Sequence, residues 1–197
     1  MAEDLKLIAL GDSLTAGYGL PTEEGFVPQL QAWLRENGAE VDVVNAGVSG
    51  DTTAGGLSRI EWTLSGEPDA DAIMIALGGN DLLRGFAPKA TRQYLTGMLD
   101  VAIAADLPVL LIGIEAPGNY GPEYKEEFDA IFPTLAEDYG TLYLRSFLEP
   151  LSGRENLHAT MREMMQPDGI HPNAEGVSVI VEGIGPKVLE LLDQVEG

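Results

Sequence analysis

The chain carries only two histidines, His158 and His171, and these limit where neutral-pH general-base chemistry can sit. His158 lies in "RENLHATMREMM", a polar, helix-like stretch that reads as surface. His171 lies in "DGIHP", three residues after Asp168. In a tight turn or a single helical turn, residues i and i+3 can meet. Asp168 can then accept the Nδ1–H of His171 and leave Nε2 free as a base. The same spacing also suits a quieter arrangement, with Asp168 capping the following helix and His171 neutral in a loop. A base needs something to activate, and Ser13 in "GDSL" (11–14) follows an apolar run directly. A serine hydroxyl is a weak nucleophile without a base and an oxyanion hole. The backbone N–H groups of Ser13 and Gly50 and the side-chain amide of Asn80 are the candidate oxyanion donors, Gly50 allowing close approach of a ligand. Taken singly, Ser13 also fits a helix cap and Asn80 in "GGND" fits a turn. The chain has no G-x-S-x-G, so the α/β-hydrolase nucleophile elbow is absent.

These residues sit at the ends of short apolar runs. The runs are "LKLIAL" (5–10), "VDVVNA" (41–46), "AIMIAL" (72–77), "VLLIGI" (109–114) and the weaker "TLYL" (141–144). Short, nearly continuous apolar runs suit strands buried on both faces. Helix-period stretches lie between them. Phe26, Val27, Leu30, Trp33 and Leu34 share one face, and Leu95, Met98, Leu99 and Ala102 share another, with Pro88 suited to a first turn. Residues 52–65 and 123–139 read as further helices. The last helix shows Val177, Ile180, Val181, Ile184, Val188, Leu191, Leu192 and Val195 at helical spacing. Strand and helix alternate, which predicts a doubly wound α/β fold: a five-stranded parallel sheet, flavodoxin-like in order 2-1-3-4-5, within one domain spanning 1–197. Ligands bind such sheets at the carboxyl ends of the strands. There the chain places "GDSL", "NAGVSGDTT" (45–53), "GGND" (78–81) and "EAPGNYG" (115–121), with "PDGIHP" (167–172) before the last helix.

Bulk properties narrow the functional classes. With no cysteine, disulfides, thiolate metal sites and a cysteine nucleophile are excluded. Net charge is −21, from 32 acids against 11 bases. Such a surface repels nucleic acid and anionic lipid, so neither is an expected partner. It reads either as an ordinary solvated acidic surface or as adaptation to high salt, where counter-ions screen self-repulsion. No apolar run approaches the roughly 20 residues of a membrane span. "MAEDLKLIAL" has acids where a signal peptide carries basic residues, so an exported protein would be present here in mature form.

Taken together, the blocks resemble those of the GDSL, or SGNH, hydrolases. "GDSL" is similar to that family's nucleophile block, "NAGVSGDTT" to its glycine block with the oxyanion glycine at Gly50 rather than Gly47, "GGND" to its Asn block and "DGIHP" to its Asp/His block. "SGDTT", "GGNDLLRGF" and "PGNYG" resemble stretches of the bacterial arylesterase and thioesterase I/protease I/lysophospholipase L1 group. The resemblance implies a three-layer α/β/α sandwich without metal or cofactor. It implies hydrolysis of small esters, aryl or short to medium acyl, with thioesters and lysophospholipids within the group's range. Ser13, Asp168 and His171 would be catalytic, with Ser13, Gly50 and Asn80 as the oxyanion hole. Many members are exported, which implies a periplasmic or secreted protein, cytoplasmic placement being the alternative. One position departs from the pattern: Glu115 stands where the group commonly has a basic residue, which disfavours anionic substrates. Leu82, Leu83, Phe86, Pro117 and Tyr120, in two of the carboxyl-end loops, are expected to contact the acyl group. Two other readings share the same residues or fold. A carbohydrate O-acetylesterase would use the same catalytic groups, although the sequence shows no aromatic platform for a polymer. A flavodoxin-like binding protein would use "GDSLTAGYG" as a phosphate loop.

Overall fold

The computed structural model describes residues 4–154 and 156–196. Its strands are β1 (Leu5–Gly11), β2 (Val41–Gly47), β3 (Ala72–Ala76), β4 (Val109–Ile112) and β5 (Leu142–Leu144). They form one all-parallel sheet in the order β2-β1-β3-β4-β5, as the sequence pattern predicts. The helices, in chain order, are α1 (Ser13–Ala16), α2 (Phe26–Glu36), α3 (Thr53–Gly66), α4 (Gly79–Leu83), α5 (Pro88–Ala104), α6 (Pro122–Asp129), α7 (Ile131–Tyr139), α8 (Glu149–Ser152), α9 (Leu157–Met164) and α10 (Ala174–Glu196). Among the described residues no helix is long and apolar enough to cross a membrane.

The period of two along the strands divides the core into two halves. Leu7, Ala9, Ala72, Met74, Leu110 and Ile112 face α2 and α10. Ile8, Leu10, Ile73, Ile75, Val109 and Leu111 face α3, α5 and α7. Each half is closed by the helical stripes read from the sequence: Phe26, Leu30, Leu34, Ile180, Ile184 and Val188 on one side, Leu95, Met98 and Leu99 on the other. Fully burying one such side chain contributes about 1.5–3 kcal/mol, so both sheet faces are firmly covered.

The segment 123–139 forms two helices where the sequence periodicity suggests one. Pro133 has no N–H to give the carbonyl of Asp129, and its ring crowds that turn, so the helix breaks at Ala130. The side chain of His158, read from the sequence as a surface residue, lies outside the described part, as do the ends of the 1–197 span.

Candidate active site

The carboxyl edge of the sheet is level. Gly11 of β1 pairs with Gly47 of β2 and with Ala76 of β3. Ser13, Gly50 and Asn80 therefore leave the sheet at one height, each a few residues beyond its strand. Asp12 turns the chain out of β1: its Oδ1 accepts the N–H of Leu14 at 3.0 Å and starts the four-residue α1. Gly47 is needed where β2 passes α1, because a Cβ there would lie 2.4 Å from the nitrogen of Ala16. Gly50 serves a different purpose. Asp51 N–H bonds the carbonyl of Val48 at 3.0 Å, and Gly50 has φ +81°, which is the third position of a type II turn.

His171 reaches Ser13 from the other end of the chain. Its Nε2 lies 2.9 Å from Ser13 Oγ and its Nδ1 2.7 Å from Asp168 Oδ2. The second oxygen of Asp168, Oδ1, accepts the backbone N–H groups of Ile170 (2.9 Å) and His171 (3.1 Å). These donors hold its carboxyl down at about 2, the imidazole contributing most. An ionised Asp168 requires Nδ1 to carry the proton, which leaves Nε2 to accept from the serine hydroxyl. Asp168 does not cap the last helix. Asn173 does so, accepting from Gly176 N–H at 2.9 Å.

Two further residues brace this pair. The ring of Tyr18 lies 4.6 Å, centroid to centroid, from the imidazole. Gln166 Nε2 donates to the carbonyls of Tyr18 (2.8 Å) and Pro172 (2.9 Å), tying the serine loop to the histidine loop. Asn80 Nδ2 donates to Asp12 Oδ2 at 3.3 Å. Asp12 is only 6% exposed, and burial pushes its carboxyl up to about 6.

Around Ser13 opens a cavity of about 490 Å³ with a mainly apolar lining. The structure brings Ser13, Gly50, Asn80, His171, Leu82, Pro117 and Tyr120 together on it. Phe86, expected to contact the acyl group, is not among its lining residues. The backbone folds back at that point: Phe86 N–H bonds the carbonyl of Asp81 at 2.9 Å, and its own carbonyl accepts the hydroxyl of Tyr124 at 2.8 Å. Leu83, also expected from the sequence, lines it too, as do four residues that sequence reasoning missed: Tyr18, Ile114, Leu148 and Ile170. Of these, Tyr18 and Ile170 had a usable signal, being large apolar residues inside the serine and histidine blocks. Glu115 is at the rim and is paired with Arg145 at 2.6 Å, with Glu149 3.9 Å from the same guanidinium. Its charge is thus partly compensated, while the cluster of two acids and one base stays negative.

A hydroxyl, an imidazole and a carboxylate linked in series at the carboxyl edge of a doubly wound sheet make the geometry of a serine hydrolase. The sequence profile of the GDSL-like lipase/acylhydrolase family matches residues 9–179, and the chain belongs to that family. It is similar to Esterase TesA of Pseudomonas aeruginosa, 41% identical over 94% of this chain and 89% of that protein. It is also similar to an arylesterase of Vibrio mimicus, 37% identical over 95% of this chain and 90% of that one. Among solved structures, the psychrotrophic esterase EstA from Pseudoalteromonas sp., inhibited by monoethylphosphonate, superposes with a TM-score of 0.86. It is 32% identical, covering 96% of this chain and 100% of that one. The chain is a serine esterase of the SGNH type, and the flavodoxin-like binding reading is set aside.

Proposed function

We propose that this esterase acts on small neutral carboxylic esters, with aryl or short to medium acyl groups, through an acyl-enzyme on Ser13. The observation that carries the reading is the hydrogen-bonded series Ser13–His171–Asp168, at 2.9 and 2.7 Å, opening into an apolar cavity beside Gly50 and Asn80. His171 Nε2 takes the proton of Ser13 as its Oγ attacks the ester carbonyl. Asp168 holds the imidazole in the tautomer that can accept this proton and stabilises the imidazolium that forms. The backbone N–H groups of Ser13 and Gly50 and the amide of Asn80 receive the charge that develops on the carbonyl oxygen. Collapse expels the alcohol, which takes its proton from Nε2. His171 then activates a water to release the acid.

A cavity of about 490 Å³ suits a small substrate. Leu82, Pro117 and Tyr120 are the proposed acyl contacts. The net negative rim around Glu115 disfavours anionic esters, and the −21 charge of the chain acts in the same direction. We also propose a single domain without a nucleic-acid partner. Resemblance to a largely exported group supports a periplasmic or secreted location. The decisive experiment is fluorophosphonate labelling with peptide mapping, alongside hydrolysis of p-nitrophenyl acetate. The label is expected on Ser13, and Ser13→Ala is expected to lose both labelling and turnover. Near-normal turnover by Ser13→Ala overturns the reading.

A further inference from the structure

The reaction above leaves one fully buried acid unused. Asp81 follows Asn80 in the chain and is 0% exposed. Burying a carboxylate is costly unless donors surround it. Its donors come from two other elements: the backbone N–H of Thr53 at 2.9 Å, the hydroxyl of Thr53, and the hydroxyl of Thr91 at 3.1 Å. Thr53 opens α3, so the acid also meets the positive end of that helix. More telling is which loops this joins. Thr53 lies three residues past Gly50, and Asp81 lies one residue past Asn80. A further bond links the same two segments, from Arg84 Nη2 to the carbonyl of Gly50 at 2.8 Å. Three hydrogen bonds therefore fasten the loop carrying one oxyanion donor to the loop carrying another. Those donors must converge on one point to within a fraction of an ångström, whereas the type II turn around Gly50 and the short α4 have little rigidity of their own.

We propose that Asp81 and Arg84 are positioning residues that set the separation of the Gly50 N–H and the Asn80 amide, and so tune stabilisation of the oxyanion. The proposal rests on the esterase reading above. Neither residue touches the reacting atoms. They act through the two donors, so their loss appears in kcat rather than in KM.

The test uses Thr53→Val, which keeps volume and the backbone N–H but removes one donor to Asp81, and Arg84→Ala at the exposed end of the same link. Each is expected to lower kcat about tenfold, a fraction of the 10²–10³ lost with a whole donor, at unchanged KM and with stoichiometric fluorophosphonate titration. Arg84→Lys, which can still donate to the Gly50 carbonyl, is expected to recover most of the loss. In an Asn80→Ala background, Thr53→Val is expected to cost well under tenfold, because the donor it positions is already gone. A wild-type kcat in both Thr53→Val and Arg84→Ala overturns the proposal. So does an equal factor for Thr53→Val with and without Asn80. If Thr53→Val fails to fold, the Arg84→Ala and Arg84→Lys pair decides, and Arg84→Ala with wild-type kcat overturns it. Turnover by Ser13→Ala is read separately, since it refutes the esterase reading and not this link.

Discussion

Replacing Asp12 by Asn is expected to make the protein more stable and a much worse enzyme. Asp12 is 6% exposed, and burial raises its carboxyl from 3.8 to about 6. A displacement of that size amounts to about 3 kcal/mol against the ionised form at neutral pH. Asn keeps the shape without the charge. Its oxygen must stay on Leu14 N–H, because that backbone donor cannot turn, and its NH₂ then faces the NH₂ of Asn80. Two donors in contact cost about 1–2 kcal/mol, so the net gain is on the order of 1–2 kcal/mol. For a chain of this size that raises Tm by about 2–8 °C. The conflict is relieved when the Asn80 amide rotates, and rotation presents its carbonyl oxygen where the oxyanion forms. A donor is lost and a repulsion added, so kcat is expected to fall on the order of 10²–10³. Thermal melts and p-nitrophenyl acetate turnover at pH 8 measure both effects. An Asp12→Asn variant that keeps wild-type kcat, or that melts lower, refutes the reasoning.

The pH dependence follows with a definite sign. The folded carboxyl of Asp12 binds its proton more tightly than the unfolded one. Its contribution to stability is thus fullest below about 4, declines as pH rises through about 6, and is level above that. The stability advantage of Asp12→Asn is expected at pH 8 and should be lost as pH falls towards 4, where the facing donors leave the variant no more stable than the wild type. Asp168, held at about 2, stays ionised throughout this window. On the acid side, protonation of Asp12 as pH falls through about 6 opposes turnover in the wild type. That contribution to the acid limb is expected to disappear in Asp12→Asn, and an acid limb left unchanged by the substitution counts against it.

Two other outcomes are expected. Gly50→Ala places a Cβ at φ +81°, which costs about 1–2 kcal/mol and favours swinging the central peptide of the turn so that the N–H points away from the cavity. Its kcat per titrated site should fall about 10²-fold, and an unchanged kcat removes Gly50 from the oxyanion hole. With a net charge of −21, Tm is expected to rise with NaCl as the surface is screened, and a flat or falling curve refutes salt adaptation.

The sheet was legible because its signal is redundant. Residues such as Ile8 and Ile75 are buried on one face and Leu7 and Met74 on the other, so the continuous apolar runs read as strands covered on both faces. Strand order and the carboxyl-edge rule then placed Ser13, Asn80 and His171 on one rim. The Asp168–His171 contact was legible as an i, i+3 spacing, although a helix cap fitted the same letters. What escaped was whatever depends on backbone direction rather than residue type. The break before α7 is set by one missing N–H at Pro133, which a periodicity count passes over. Phe86 was misplaced for the same reason: the residue suits a pocket, but its backbone is folded back onto Asp81 and Tyr124.

Three aspartates beside the proposed chemistry show where a sequence reading runs out of information. Each stands next to, or three residues from, a residue of the site, and the letter is identical. Asp168 has a side chain 37% exposed and is met by two backbone N–H groups and an imidazole, so its charge is favoured and its carboxyl falls to about 2. Asp12 is buried with one backbone N–H and one long bond from an amide, so its charge is opposed and its carboxyl rises to about 6. Asp81 is buried more deeply but has three donors, two of them hydroxyls that can turn to suit it. Donor count and access to water separate the three, and both are properties of the assembled loops. The ordering also states a cost. A protein selected for stability alone would keep Asp168 and Asp81 and replace Asp12, because only Asp12 holds its charge against burial without full compensation. An acid at that place fits the proposed mechanism, because its two oxygens accept from Leu14 and Asn80 separately and so would hold the Asn80 amide in the orientation proposed for an oxyanion donor.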